Sequence, residues 1–190
     1  MANPHAPLRV LVTVGTALDP FDRLIAFVDT MLASLGQDVA GLCQFGRCSA
    51  RSRTLENVAF LDRAQFLDAI TNADVVFTGA GVGTLSMCIR AGHRPVVLPR
   101  RHDLGECVND HQFELVHALT QRGDIIDATE ADIGAIFLRA LEGGLRKPYR
   151  QDTLLLPAIN FSRSARYHGL PTQAVRALSK WVSPDRMRIR

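Results

Sequence analysis

The chain has 190 residues, of which 47% are hydrophobic and 22% charged, a composition typical of a soluble globular protein that can bury a sizeable core. Its longest apolar runs, at 10–14 and 154–158, are far shorter than the ~20 residues of a membrane-spanning helix, which argues against an integral membrane protein of that kind. Residues 1–7 lack the pattern of a signal peptide, so we expect a cytoplasmic protein. The four cysteines form no C-x-x-C pair and have no histidines at metal-ligand spacing, so we expect reduced thiols and no metal site.

The formal net charge of +3 is unevenly distributed along the chain. Residues 143–190 contain ten Lys or Arg and two acids, whereas residues 1–142 contain more acids than bases. We therefore predict a folded domain over 1–142 and a basic extension over 143–190, which favours an anionic neighbour such as a membrane surface, a lipid phosphate or an acidic partner. Within the extension, apolar residues at helical spacing predict an amphipathic helix over 172–182, lying on a membrane or partner or packing on its own domain.

Strands and helices are predicted to alternate over residues 8–141. In chain order the predicted elements are strand Leu8–Val14, a helix from about Asp22 to Leu35, strand Val39–Cys43, strand Val58–Leu61, helix Arg63–Asn72, strand Val75–Phe77, a helix carrying Leu85 and Ile89, strand Pro95–Pro99, a helix from Asn109 to Arg122, strand Ile125–Ile126 and helix Glu130–Leu141. Valine-rich runs are typical of strands covered on both faces. This alternation predicts an α/β fold, a Rossmann-like doubly wound parallel sheet whose ligand site lies at the carboxyl ends of the strands.

A glycine-rich turn, Thr78–Thr84, follows the predicted strand Val75–Phe77 and precedes a helix. By itself such a turn could be only a tight connection between strand and helix. However, the backbone N–H groups and the positive dipole end of the helix would face any anion bound over the turn. Arg100 and Arg101 follow the neighbouring strand, and guanidinium groups at the same edge favour a diphosphate, with either arginine as its ligand.

Polar residues open the helix that follows the two arginines. Asn109, His111 and Gln112 supply donors and acceptors of the kind that bind sugar hydroxyls, although Asn109 and Asp110 could simply cap the helix. Gly15 and Thr16 follow the first predicted strand and are candidates to line the cleft on its acceptor side. Phosphate and sugar contacts together indicate a nucleotide-sugar.

The order and spacing of five short motifs resemble the C-terminal, donor-binding half of the family 28 glycosyltransferases. The motifs are Ala73-Asp74, Gly79-Ala80-Gly81-Val82-Gly83-Thr84, Pro99-Arg100-Arg101, Leu104-Gly105-Glu106 and Asn109-Asp110-His111-Gln112. The similarity extends from about Val10 to Gly123 and is nearest to the PssE-like subunits of exopolysaccharide synthesis. It implies half of a GT-B enzyme, an inverting transferase that uses a UDP-sugar without a metal cofactor, with β-1,4-glucuronosyl transfer as one candidate reaction.

The resemblance also assigns roles to residues. It places Gln44 and Gly46 near the donor, Gln112 on the donor sugar, and Asn109 and His111 in support. The full set of predicted donor-binding residues is Gly15, Thr16, Gln44, Gly46, Gly79, Gly81, Gly83, Thr84, Arg100, Arg101, Asn109, His111 and Gln112. No convincing catalytic base is found, and Asp19 and Asp22 are the candidates.

The resemblance further implies a partner, because a two-domain transferase usually binds its acceptor through the other half. We expect a membrane-anchored, PssD-like subunit that holds a lipid-linked saccharide acceptor, and no nucleic acid. The chain would then lie at the inner face of the membrane, held by the partner or by the basic extension.

Two departures from the family pattern favour an alternative function. Many relatives have a glutamate at the position of Met87 or Cys88, expected to bind the ribose of UDP, and a histidine at that of Gly79. The missing glutamate favours a non-catalytic nucleotide-sugar-binding or scaffold subunit. A dinucleotide-dependent oxidoreductase is disfavoured, because Ser86 stands where a G-x-G-x-x-G motif needs its third glycine.

Overall fold

The computed structural model describes residues 7–35 and 38–129. The predicted helix Glu130–Leu141, the domain boundary near residue 142 and the amphipathic helix over 172–182 therefore lie outside the described residues. Within the described ranges, no helix has the length and apolar character needed to cross a bilayer.

Strands and helices alternate through the described part of the chain. The elements are β1 (Leu8–Thr13), α1 (Asp22–Ser34), β2 (Val39–Gln44), β3 (Glu56–Val58), α2 (Arg63–Asn72), β4 (Val75–Thr78), α3 (Val82–Arg90), β5 (Val96–Val97), a 3-10 turn (His102–Leu104), α4 (His111–Gln121) and β6 (Ile126–Asp127). The boundaries of α2 are those expected from the sequence, and its N-terminus carries a capping box in which Asp62 and Gln65 bond each other's backbone N–H groups.

The strands form one parallel sheet in the order β3-β2-β1-β4-β5-β6. The predicted α/β, doubly wound fold is thus confirmed. The strand order reverses between β1 and β4, whose last residues Thr13 and Thr78 are register partners. In an open α/β sheet this reversal creates a crevice outside the carboxyl ends of the two strands, which is where ligands bind.

Both faces of the central strands are buried, which explains their continuous apolar sequences. On one face Val10, Val12 and Phe77 pack with the apolar side of α1. On the other face Leu11 and Val76 pack in a second cluster, with contributions from α2 and α3. The sheet therefore holds the ends of β1 and β4 in fixed relative positions.

Strand β3 lies earlier than predicted, at Glu56–Val58 rather than Val58–Leu61. The side chain of Asn57 closes the preceding loop, since it accepts a hydrogen bond from Ser52 N and donates to the carbonyls of Ser52 and Leu55. Because this network closes the loop at Leu55, β3 begins directly after it, at Glu56. The periodicity of the residues does not indicate this boundary, since side-chain hydrogen bonds set it.

Candidate functional site

The N-terminus of α3 opens toward the switch point between β1 and β4. Gly81 occupies the N-cap position, where no side chain caps the helix, and Leu85 N closes the first turn onto Gly81 O at 2.9 Å. A Cβ atom on Gly81 or Gly83 would meet nothing within 4 Å. Thr84, half-buried, completes this first turn. An uncapped helix start with open space above it is suited to an anion.

Gly79 differs from the other two glycines of the turn, because it is buried against an aromatic ring. A Cβ atom on Gly79 would lie 3.1 Å from Cε1 of Phe21 and 3.8 Å from Leu98 O. The structure thus gives Gly79 a packing role, while its predicted contact with a donor stays a prediction.

A second glycine turn follows β1. Gly15 has a φ of +76°, a conformation that favours glycine, and Thr16 beside it is exposed. Thr13 Oγ1 accepts a hydrogen bond from Gly15 N at 3.2 Å and donates to Gln44 Oε1 at 2.6 Å. Gln44 Nε2 in turn donates to Gly15 O and Ala59 O, each at 3.1 Å.

The side chain of Gln44 is 4% exposed and both ends of its amide are bonded to protein atoms, so it fixes the Gly15 turn. Its predicted contact with the donor stays a prediction. Gly46 also lies behind the turn: it is buried with a φ of +54°, and a Cβ would come 3.0 Å from Val14 Cγ2. The segment Gln44-Phe45-Gly46 therefore packs against the Gly15 turn and supports it.

Arg100 is buried, with 5% of the residue exposed. The sequence offers either Arg100 or Arg101 as the phosphate ligand, and for Arg100 that role stays a prediction. Its Nη1 donates to Asp19 O at 2.8 Å and to Glu106 O at 2.9 Å, and its Nη2 donates to Val14 O at 3.0 Å. The guanidinium carbon lies 4.6 Å from the centroid of the Phe21 ring, and burial lowers the pKa of Arg100 from its ordinary value. Both Nη atoms thus donate to backbone carbonyls of two different loops, so the side chain connects these loops.

Arg101, unlike Arg100, is exposed. Its Nε donates to Asp103 Oδ1 at 2.9 Å and its Nη2 to Asp103 Oδ2, and this guanidinium holds the pKa of Asp103 below its ordinary value. The backbone N–H of Arg101 donates to Glu106 Oε2 at 2.9 Å. Of the two predicted phosphate ligands, Arg101 has the accessible side chain, and its role remains a prediction.

A partly buried ion pair joins Arg23 of α1 to Glu106, and the sequence does not predict it. Glu106 is 6% exposed, and its carboxylate accepts from Arg23 Nε at 2.9 Å and from Arg23 Nη2 at 2.7 Å. Arg23 Nη2 also donates to Pro99 O at 2.7 Å. Glu106 lies in the Leu104-Gly105-Glu106 motif, and no sequence signal pairs it with an arginine 83 positions away.

The start of α4 carries the remaining predicted ligands. Gln112 Oε1 accepts from Arg100 N at 3.0 Å, so one end of this amide holds the loop. Asn109 and His111 are exposed, and Asn109 Oδ1 accepts a long hydrogen bond, 3.4 Å, from His111 N. Asp110 Oδ1 accepts from His102 N at 3.0 Å.

The two candidate bases differ in their surroundings. The carboxylate of Asp22 accepts from Ala50 N at 2.6 Å and from Ser49 Oγ at 3.1 Å, which anchors the loop after β2. Asp19 is exposed and its carbonyl accepts from Arg100. Helix α3, Val82–Arg90, contains no acid.

The comparisons with known proteins bear on the fold. No protein-family model and no curated protein matches the chain. Among solved structures, the glycotransferase of kitacinnamycin matches with a TM-score of 0.55 and 18% identity over 95% of this chain and 44% of that one. MurG of Acinetobacter baumannii matches with a TM-score of 0.53 and 16% identity over 95% of this chain and 54% of that one. The chain spans about half the length of these two glycosyltransferases, and it has the Rossmann-like fold that occurs in them.

Proposed function

We propose that this chain is the donor-binding half of an inverting glycosyltransferase that uses a UDP-sugar. The observation that carries the proposal is that two glycine turns follow neighbouring strands. The Gly15 turn follows Thr13 at the end of β1, and the turn that leads to the open N-terminus of α3 follows Thr78 at the end of β4. Thr13 and Thr78 are register partners, so the two turns begin side by side. This is the switch point of a fold shared with two glycosyltransferases.

The diphosphate would bind over the first turn of α3. The N–H groups at Val82–Thr84 and the helix dipole stabilise negative charge there, and Arg101 is an exposed cation that follows β5 on the same edge of the sheet. Because these groups carry the charge of the leaving diphosphate, the proposal includes no metal.

The reaction would proceed by direct displacement. An acceptor hydroxyl oxygen bonds to the anomeric carbon from the face opposite the diphosphate, the bond from that carbon to UDP breaks, and its electron pair leaves with UDP. The hydroxyl proton passes to a general base. We assign that role to Asp19, which is exposed. The carboxylate of Asp22, by contrast, accepts hydrogen bonds from the loop after β2.

The finer parts of the proposal concern acceptor and partner. We propose a lipid-linked saccharide acceptor of exopolysaccharide synthesis, bound by a PssD-like membrane-anchored subunit, with glucuronosyl transfer as one candidate reaction. The likeness to about half of two glycosyltransferases supports a second half elsewhere. The basic residues 143–190 would meet that partner or the cytoplasmic face of the membrane.

Two observations favour a non-catalytic binding subunit as the second candidate. Helix α3 offers no carboxylate for a ribose, and both Nη atoms of Arg100 donate to the protein's own carbonyls. Such a subunit would bind the nucleotide-sugar and transfer nothing.

Nucleotide binding is the first test. Isothermal titration of the full chain with UDP, UDP-glucuronic acid and UDP-glucose, with ADP and GDP as controls, is expected to show binding of the uridine compounds. Absence of binding by all of them, with and without the partner, refutes the proposal.

Turnover separates the two candidates. Sugar transfer to a lipid-linked acceptor by the chain with its partner supports the transferase, whereas binding without transfer supports the non-catalytic subunit. Efficient transfer by the isolated chain would contradict the division of the site between two polypeptides.

A further inference from the structure

Arg100 connects the two loops that border the switch point: the β1–α1 loop, residues 14–21, and the β5–α4 loop, residues 98–110. We propose that Arg100 is a positioning residue whose guanidinium sets the spacing of these loops, and thereby the shape of the nucleotide site. The first part stands on geometry alone. The second part rests on the proposed function.

The hydrogen bonds of Arg100 reach both loops from one buried group. Val14 O, Asp19 O and Pro20 O belong to the β1–α1 loop, at 3.0, 2.8 and 3.4 Å, and Glu106 O belongs to the β5–α4 loop, at 2.9 Å. Asp19 O and Glu106 O both accept from Nη1 of Arg100. These two carbonyl oxygens, one from each loop, therefore lie no farther apart than the combined length of the two hydrogen bonds. Carbonyl oxygens bear partial negative charge and would be poorly solvated here without this cation.

Neighbouring contacts reinforce the connection. Arg23, one residue into α1, grips the Glu106 carboxylate with two hydrogen bonds. Phe21 lies beneath the guanidinium and packs against Gly79, so the turn after β4 joins the same unit. The backbone N–H of Arg100 is itself held by Gln112 at the start of α4. Arg100 therefore contacts the β1–α1 loop, the rest of the β5–α4 loop and the start of α4 directly, and it contacts the turn after β4 through Phe21.

The geometry of the group explains why arginine is required. A planar guanidinium directs donors to carbonyls on two sides at once, whereas the ammonium of lysine is a compact group with three donors and cannot span the same separation. The substitution R100K keeps the positive charge and removes the fork. If Arg100 acted through charge on a phosphate, lysine would preserve much of its effect.

Hydrogen exchange of the unliganded full chain tests the positioning role directly. In R100K, amide exchange is expected to rise about tenfold or more at the hydrogen-bonded N–H groups within residues 14–20, those of Val14 and Gly15, and in residues 101–107, because losing the strong bonds from the guanidinium to the carbonyls loosens both loops. Exchange in β1 and β4 is expected to stay unchanged. The matched control is R63K, an exposed arginine on α2 outside both loops.

A second variant keeps the test decisive if R100K folds poorly. E106Q loses the carboxylate that binds Arg23 but keeps the Glu106 carbonyl on Arg100, so faster exchange is expected in residues 101–107 and not in residues 14–20. Unchanged exchange in both loops of a folded R100K, or equal loosening of both loops in E106Q, overturns the proposal.

Binding of UDP then links the connection to function. R100K is expected to weaken UDP binding in proportion to the loosening of the loops. Weaker UDP binding with unchanged exchange in the unliganded protein would make Arg100 a direct ligand and would overturn the positioning role. If the wild-type chain binds no UDP, the proposed function fails, while exchange alone still decides whether Arg100 sets the loops.

Discussion

The ring of Phe21 lies against Gly79 so closely that a Cβ atom on Gly79 would come 3.1 Å from Cε1. Phe21 is fully buried at the start of α1, and Gly79 follows β4 in a turn whose other glycines face open space. One glycine of the motif therefore serves packing, and the two that follow leave the helix start accessible.

The substitution G79A is expected to destabilise the protein by about 1–3 kcal/mol, because the added methyl group overpacks a buried ring. Urea unfolding followed by circular dichroism measures the change. In an F21L background the cost of G79A is expected to shrink, since the ring that collides is gone. An unchanged free energy of unfolding in G79A would contradict the packing role.

The substitution G83A is expected to raise stability and lower ligand affinity together. Alanine is favoured over glycine within a helix by up to about 1 kcal/mol, and the space around Gly83 is open. The methyl group would also crowd the first-turn N–H groups, so UDP affinity is expected to fall about tenfold, as for one lost hydrogen bond to a charged group.

Its matched control is A64G, at the same helical position of α2 and exposed. A64G is expected to destabilise the protein by a similar amount and to leave UDP binding unchanged. If G83A binds UDP as well as the wild type, the diphosphate does not lie over the first turn of α3.

The substitution T13V is expected to cost about 1–3 kcal/mol despite its similar shape. It removes the hydroxyl that donates to Gln44 Oε1 and accepts from Gly15 N, and it leaves a buried amide oxygen without its donor. T13S, which keeps the hydroxyl, should retain more of the stability. The comparison variant T30V, on the exposed face of α1, is expected to change stability by about 0.5 kcal/mol or less.

Alkaline pH is expected to destabilise the fold through its buried thiols, Cys43, Cys48 and Cys88, whose pKa values burial raises. Burial raises the pKa of Cys43 to about 11 and that of Cys88 to about 12, from an ordinary value of 9.0. Above pH 9 the unfolded thiols lose protons that the folded protein retains, so their contribution is fully present below pH 9 and is lost as the pH rises toward 11–12. Each thiol adds a slope approaching about 1.4 kcal/mol per pH unit.

Urea midpoints measured between pH 7 and pH 10.5 check this dependence. The substitution C88A should give a shallower fall above pH 9 than the wild type, because one of the buried thiols is missing. Identical slopes in C88A and wild type would show that other groups cause the alkaline loss.

Much of the fold could be predicted from local sequence. The valine-rich runs of β1 and β4 and the exact limits of α2 follow from periodicity and capping, which act between near neighbours. The start of β3 could not be predicted in this way, because a side-chain network around Asn57 sets it.

For the candidate site, too, local sequence predicts one part and long-range contacts set the other. The sequence by itself determined that glycine turns and polar residues follow the strands, and parallel strands bring those ends to one edge of the sheet. Only the tertiary structure decided which groups remain available to a ligand. Arg100 and Gln44 were predicted to face a ligand, yet each is bonded to backbone carbonyls of distant segments. The physical reason is that a buried polar group must find a partner, and the nearest partners are set by packing over long sequence separations that no local pattern records.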